Sequence, residues 1–108
     1  MEPKDAHLAT RLILLPKDTN AHGTIFGGVI LSQIDLAAAV EVRRYTRKKI
    51  VTVAMKEVEF HEPVYVGDVV SFYTRLQRLG TTSISVTVEV FARRVSDPSV
   101  VVPSLIHI

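Results

Sequence analysis

Cysteine is absent from the 108 residues. That rules out disulfides, thiolate catalysis and thiolate zinc sites, and it fits a reducing compartment. Aromatic residues make up only 6% of the chain, and the formal net charge is a mild +2. With so little to stack on bases or to track a phosphate backbone, nucleic-acid binding is not expected. Long apolar runs are lacking too. Met1 to Thr10 mixes Glu2, Lys4, Asp5 and His7 without an apolar core, unlike a signal peptide. The stretch from Val29 to Val42 is too short to span a bilayer and is interrupted by Ser32, Gln33, Asp35 and Glu41. No membrane insertion and a cytoplasmic location are the expectations.

Several catalytic signatures are also missing. Gly23-x-x-x-Gly27-Gly28-Val29 lacks the Lys-Ser/Thr pair of a P-loop. No Gly-x-Ser-x-Gly elbow occurs, and Ser32 has no histidine placed locally to activate it. His7, His22, His61 and His107 show no metal-ligand spacing, so no metal is expected.

Hydrophobic residues, by contrast, make up 47%, high for so short a chain. One domain over residues 1–108 follows from length, with part of its apolar surface expected between subunits. The stretch Asp18 to Ala39 organises the rest. It begins as a polar, turn-prone loop, passes Gly23 and the pair Gly27-Gly28, and becomes a helix so apolar that Asp35 stands out. Gly27 and Gly28 permit close backbone approach and unusual dihedrals. A helix starting near Gly28 leaves unpaired N–H groups aimed at the loop, about 10 Å from Asp35 along the axis.

In chain order, Arg11 to Leu15 reads as a strand ended by Pro16. Gly28 to about Arg47 reads as one helix, apolar nearly all round and therefore buried. Arg43, Arg44, Arg47, Lys48 and Lys49 mark its end; they offset the negative end of the helix dipole or meet a phosphate-bearing ligand. Ile50 to Val66 is β-rich, with a parity change near Lys56-Glu57 that requires a bulge or two covered faces. Val69 to Leu79 alternates, with Val70, Phe72, Thr74 and Leu76 on one face. After the turn Gly80-Thr81-Thr82, Ser83 to Arg93 alternates more clearly, with Ile84, Val86, Val88, Val90 and Ala92 facing the core. Val100 to Ile108 suits a last strand with Pro103 at an edge or bulge. A sheet wrapped on one helix leaves open edges, which predicts at least a dimer.

Asp35, with Asn20 and His22 of the loop, is the chemistry that remains. Asp35 reads either as a helix residue satisfied by solvent or a neighbouring chain, or as a general base. Apolar neighbours that desolvate a carboxylate suit it to activating water near neutral pH. His22 and Asn20 taken singly read as loop hydrogen-bonders.

Together, Asp18-Thr19-Asn20-x-His22-Gly23-x-x-Phe26-Gly27-Gly28 with Asp35, then Val51-Thr52, Phe60-x-x-Pro63-Val64-x-x-Gly67-Asp68, and Gly80-x-Thr82-Ser83 before an alternating strand, resemble the hotdog-fold acyl-CoA thioesterases. The resemblance covers about Arg11 to Arg94 and is strongest to the bacterial group acting on short to long acyl-CoA and its animal cytosolic relatives. It implies an α+β hotdog fold, an antiparallel sheet wrapped around one long central helix, and hydrolysis of acyl-CoA to free acid and CoA. It implies Asp35 as base or nucleophile, Asn20 of a partner subunit positioning water or thioester, and Gly27 or Gly28 donating a backbone N–H to the thioester oxygen. His22 joins this group. Gly80, Thr82, Ser83, Arg93 and Arg94 are candidates for the CoA side; otherwise they are a β-turn and solvated strand-end arginines. No cofactor is implied beyond CoA as part of substrate and product. The implied assembly is a hexamer, a trimer of dimers. After Val95 the chain departs from the family pattern, ending in Val-Val-Val-Pro-Ser-Leu-Ile-His-Ile. Two rivals share the fold: a hydratase or dehydratase using His22 and Asp35, and a non-catalytic acyl-CoA-binding module.

Overall fold

The computed structural model describes residues 5–21, 23–25, 27–50, 64–94 and the backbone of 101–107. Their element order is β1 (His7–Ile13), a 3-10 turn (Pro16–Asp18), α1 (Gly27–Val42), β2 (Val69–Leu79), β3 (Ile84–Arg93) and β4 (Val101–His107). The four strands form one antiparallel sheet in the order β1-β2-β3-β4.

Alternation places the hairpin correctly. Val70, Phe72, Val86, Val88, Val90 and Ala92 are buried on the face toward α1, and Leu76 and Ile84 pack against them. Gly80 closes the turn through its N–H to the Ser83 carbonyl at 2.8 Å. Pro103 lies opposite Phe91 in β4, an edge strand among the described residues, where a missing N–H is tolerated.

Three expectations change. The first strand begins at His7 rather than Arg11 and stops at Ile13, because Leu14 turns its backbone to another segment: its N–H meets Asp68 O at 3.2 Å and its carbonyl accepts from Gly67 at 2.9 Å. The helix ends at Val42, not near Arg47. Beyond it Arg44 and Tyr45 donate to carbonyls three residues back, which tightens and closes the last turn. Nor is α1 buried all round. Ile30, Ile34, Ala37, Ala38, Glu41 and Val42 face the sheet, while Leu36 and Val40 are exposed, because a sheet on one side of a helix covers only that side. The bulge expected near Lys56-Glu57 falls in 51–63, outside the described residues.

Candidate active site

The loop before α1 is closed by its own polar groups. Asn20 donates its amide N–H to Thr24 Oγ1 at 2.9 Å, and its amide oxygen accepts the Thr24 N–H at 3.2 Å. Between the two backbones Asn20 N–H meets Thr24 O at 2.8 Å, and Gly23 N–H meets Asn20 O at 3.2 Å. Gly23 adopts φ +80, the left-handed conformation this tight return requires and glycine takes without strain. Asn20 is half-buried. Its amide has two N–H donors and two acceptor lone pairs, of which Thr24 takes one each. Ile25 then enters the core, donating its N–H to Val64 O at 2.8 Å. His22 and Phe26 lie outside the described residues.

Gly27 and Gly28 form the exposed first turn of α1. Neither adopts a left-handed φ, and a Cβ on either meets nothing within 4 Å in this chain. The expected unusual dihedral is therefore found at Gly23 and not here. What the glycine pair provides is bare backbone where a helix leaves its first N–H groups without intrahelical acceptors. Asp35 follows Gly28 by seven residues, which puts the two on one stripe of the helix within about 20° and about 10 Å apart along it. Asp35 is half-buried, between buried Ile34 and exposed Leu36. A donor at a positive helix end and a carboxylate two turns along the same stripe form a pair able to polarise a carbonyl and take a proton from water.

The residues assigned to the CoA side do not gather within one chain. Gly80, Thr82 and Ser83 form the turn between β2 and β3, whereas Arg93 pairs with Val69 at the far end of that hairpin. Ten residues of strand separate the two groups by about 30 Å. Thr82, Ser83 and Arg93 are exposed. Arg94 is half-buried, its Nε 3.3 Å and its second guanidinium nitrogen 3.4 Å from the carboxylate of buried Asp68, with the guanidinium carbon 4.6 Å from the Tyr65 ring centre.

Sequence reasoning missed one cluster. Glu41 is completely buried on the sheet-facing side of α1. Its Oε1 lies 2.9 Å from His7 Nδ1, 3.0 Å from Thr74 Oγ1 and 3.1 Å from Arg44 Nε, and its Oε2 accepts the Tyr45 hydroxyl at 2.9 Å. Burial acts to raise its pKa, but hydrogen bonds to His7, Tyr45 and Thr74 and the attraction of His7 outweigh it, so the carboxyl sits below its ordinary value. The same bond raises the Tyr45 hydroxyl, whose loss of a proton would put two anions together. The pattern carried no signal for it: that Glu41 lies seven residues after Ile34 and four after Ala37 tells only once the structure shows those two on the buried stripe.

Among the described residues no group of three or more histidine, cysteine, aspartate or glutamate side chains could hold a metal ion, and no helix is long and apolar enough to cross a membrane.

The thioesterase superfamily pattern matches residues 22–97. The acyl-CoA thioester hydrolase YciA of Salmonella typhimurium is 43% identical over 89 residues, which span 82% of this chain and 67% of the relative. Among solved structures, a hexameric hotdog-fold thioesterase of Campylobacter jejuni is 44% identical, with a TM-score of 0.83 over 93% of this chain and 78% of that one. A hexameric thioesterase from Yersinia pestis is 34% identical, with a TM-score of 0.87 over 97% and 86%. A pattern match across most of the chain, joined to a helix backed by an antiparallel sheet that superposes on a hotdog-fold thioesterase, leaves one assignment: this chain belongs to the thioesterase superfamily and has the hotdog fold.

Proposed function

We propose that this chain hydrolyses acyl-CoA thioesters to free acid and CoA, as a homo-oligomer whose sites draw on two subunits. The observation that carries the reading is the alignment of Gly28 and Asp35 on one stripe of α1, beside a loop that Asn20 closes. Water adds to the thioester carbonyl carbon and loses its proton to the Asp35 carboxylate. The oxygen, now negative, accepts the Gly28 N–H at the positive end of the helix, an interaction worth about 3 to 4 kcal/mol in the transition state. Collapse of the tetrahedral adduct breaks the C–S bond, and the thiolate leaves as CoA, taking up the proton. With Asp35 as nucleophile, the same carboxylate attacks the carbonyl, the C–S bond breaks to expel the CoA thiolate, and water later cleaves the anhydride, freeing the acid and Asp35 and supplying the proton the thiolate takes up. Asn20, from the partner subunit's loop, orients the water or the thioester, and His22 belongs to that loop. Names of the relatives, acyl-CoA hydrolases and hexameric thioesterases, support both the substrate class and a hexamer. Thr82 and Ser83 at one hairpin end and Arg93 at the other hold CoA, from different subunits if they serve one site, since a single hairpin keeps them apart. Gly80 shapes the turn that presents the first two.

Thiol release from acyl-CoAs of increasing chain length tests the reading. Wild type is expected to release CoA, and Asp35→Ala to lose about 100-fold to 10,000-fold in kcat while CoA still binds, because a base acts in the transition state and the nucleotide is held elsewhere. Asn20→Ala is expected to lose turnover as well. Retained turnover in Asp35→Ala would overturn the assignment, and binding of acyl-CoA by wild type without release would make the chain an acyl-CoA-binding module.

A further inference from the structure

The loop that carries Asn20 hangs by both ends from one distant turn. At its start Leu14 exchanges two backbone hydrogen bonds with Gly67 and Asp68. At its finish Thr24 bridges to Tyr65, and Ile25 donates to Val64 O at 2.8 Å. Thr24, whose backbone meets Tyr65, is also the residue whose N–H and hydroxyl grip the Asn20 amide. The position of Asn20 is thus set by the shape of residues 64–68.

That shape is held from within. The Asp68 carboxylate accepts the Tyr65 N–H at 3.0 Å, and the Asp68 N–H returns to Tyr65 O at 3.1 Å. Gly67, at φ +87, lets the chain reverse between them. Asp68 is 1% exposed, and an ionised carboxylate so placed is costly unless a cation compensates it. Arg94, just past β3, supplies one: its fork faces Asp68 while its plane covers Tyr65. Planar geometry matters, because a lysine ammonium has no fork and no face to lay on a ring.

We infer that Arg94 is a positioning residue for hydrolysis: with Asp68 it fixes the turn that places Asn20, and it does not bind CoA. The inference rests on the role given to Asn20 under Proposed function.

The test is steady-state kinetics of Arg94→Ala and Arg94→Lys in the wild-type oligomer and in Asn20→Ala, with amide hydrogen exchange on the same proteins. Arg94→Ala is expected to lower kcat about 10-fold to 100-fold, as small displacements of a catalytic group do, while KM and inhibition by CoA stay within about twofold. Arg94→Lys should recover only part of the loss. In the Asn20→Ala background Arg94→Ala should cost less than about twofold, since a residue acting through Asn20 has nothing left to act on. Exchange should quicken over 19–25 and stay unchanged in the β2–β3 hairpin. A raised KM with kcat preserved would make Arg94 a CoA contact and overturn the inference, as would an equal loss in the Asn20→Ala background. Full turnover of Asn20→Ala alone would instead remove the role of Asn20, and exchange then decides the clamp: quickened exchange over 19–25 supports it, unchanged exchange overturns it.

Discussion

His7 Nδ1 lies 2.9 Å from Glu41 Oε1, so the first strand is fastened to the central helix through a carboxylate with no exposed surface. Thr74 reaches the same oxygen from β2, which makes one buried acid the meeting point of β1, β2 and α1. The partners from Arg44 and Tyr45 come from the turn after the helix, so the same group also fastens its C-terminal end.

The first prediction concerns acid. Glu41 titrates below its ordinary value of 4.5 in the folded chain, so folding favours its charged form. Its contribution is complete above the unfolded value and is lost as pH falls through the lower folded one. Glu41→Gln should cost about 2 kcal/mol near neutral pH, the scale of hydrogen bonds to a charged group. The difference in thermal midpoint between wild type and Glu41→Gln, at fixed protein concentration, should shrink between about pH 6 and pH 3. A gap that stays constant on acidification would show that the charge on Glu41 is not what stabilises the cluster.

At the helix start, stability and turnover should part. A Cβ on Gly28 meets nothing within 4 Å in the chain, and alanine is favoured over glycine in a helix by up to about 1 kcal/mol. Gly28→Ala should therefore melt at the same temperature or higher. Yet its methyl group would crowd the donor proposed for the thioester oxygen, and kcat should fall at least about tenfold. Gly27→Ala, off the Asp35 stripe, should cost less. Full turnover in Gly28→Ala would mean that the carbonyl is polarised elsewhere.

Leu36 and Val40 are 56% and 43% exposed and lie one turn apart on the side of α1 away from the sheet. A charge there leaves the core of a single chain untouched but cannot be buried cheaply against a second one. Leu36→Glu is expected to shift the protein to smaller species in sedimentation velocity and to lose turnover with the shared site, while far-ultraviolet circular dichroism keeps its native shape. Unchanged assembly would place the subunit contact on another face.

Most of the local elements and the family were legible in the order of residues alone. Period-two alternation located β2 to the residue and β3 to within one, because each strand buries one face against the helix and the pattern repeats at the strand's own period. Asp35 stood out because a carboxylate among Ile34, Leu36 and the alanines is a local contrast, and the loop motif from Asp18 to Gly28 carried the resemblance that the superfamily match bears out. Relationships between residues far apart in the chain emerged only with the folded molecule. Which stripe of an almost uniformly apolar helix meets the sheet was undetermined by its pattern, so Glu41 read as an interruption until His7 and Thr74 closed on it. Asp68 entered as part of the family motif and Arg94 as a CoA candidate or strand-end cation, yet 26 positions apart they form an ion pair at the turn to which the Asn20 loop is hydrogen-bonded. Periodicity reports how a residue relates to its near neighbours, whereas a buried charge is stabilised by whichever partner the fold brings to it, and that partner is chosen only when the sheet closes over the helix.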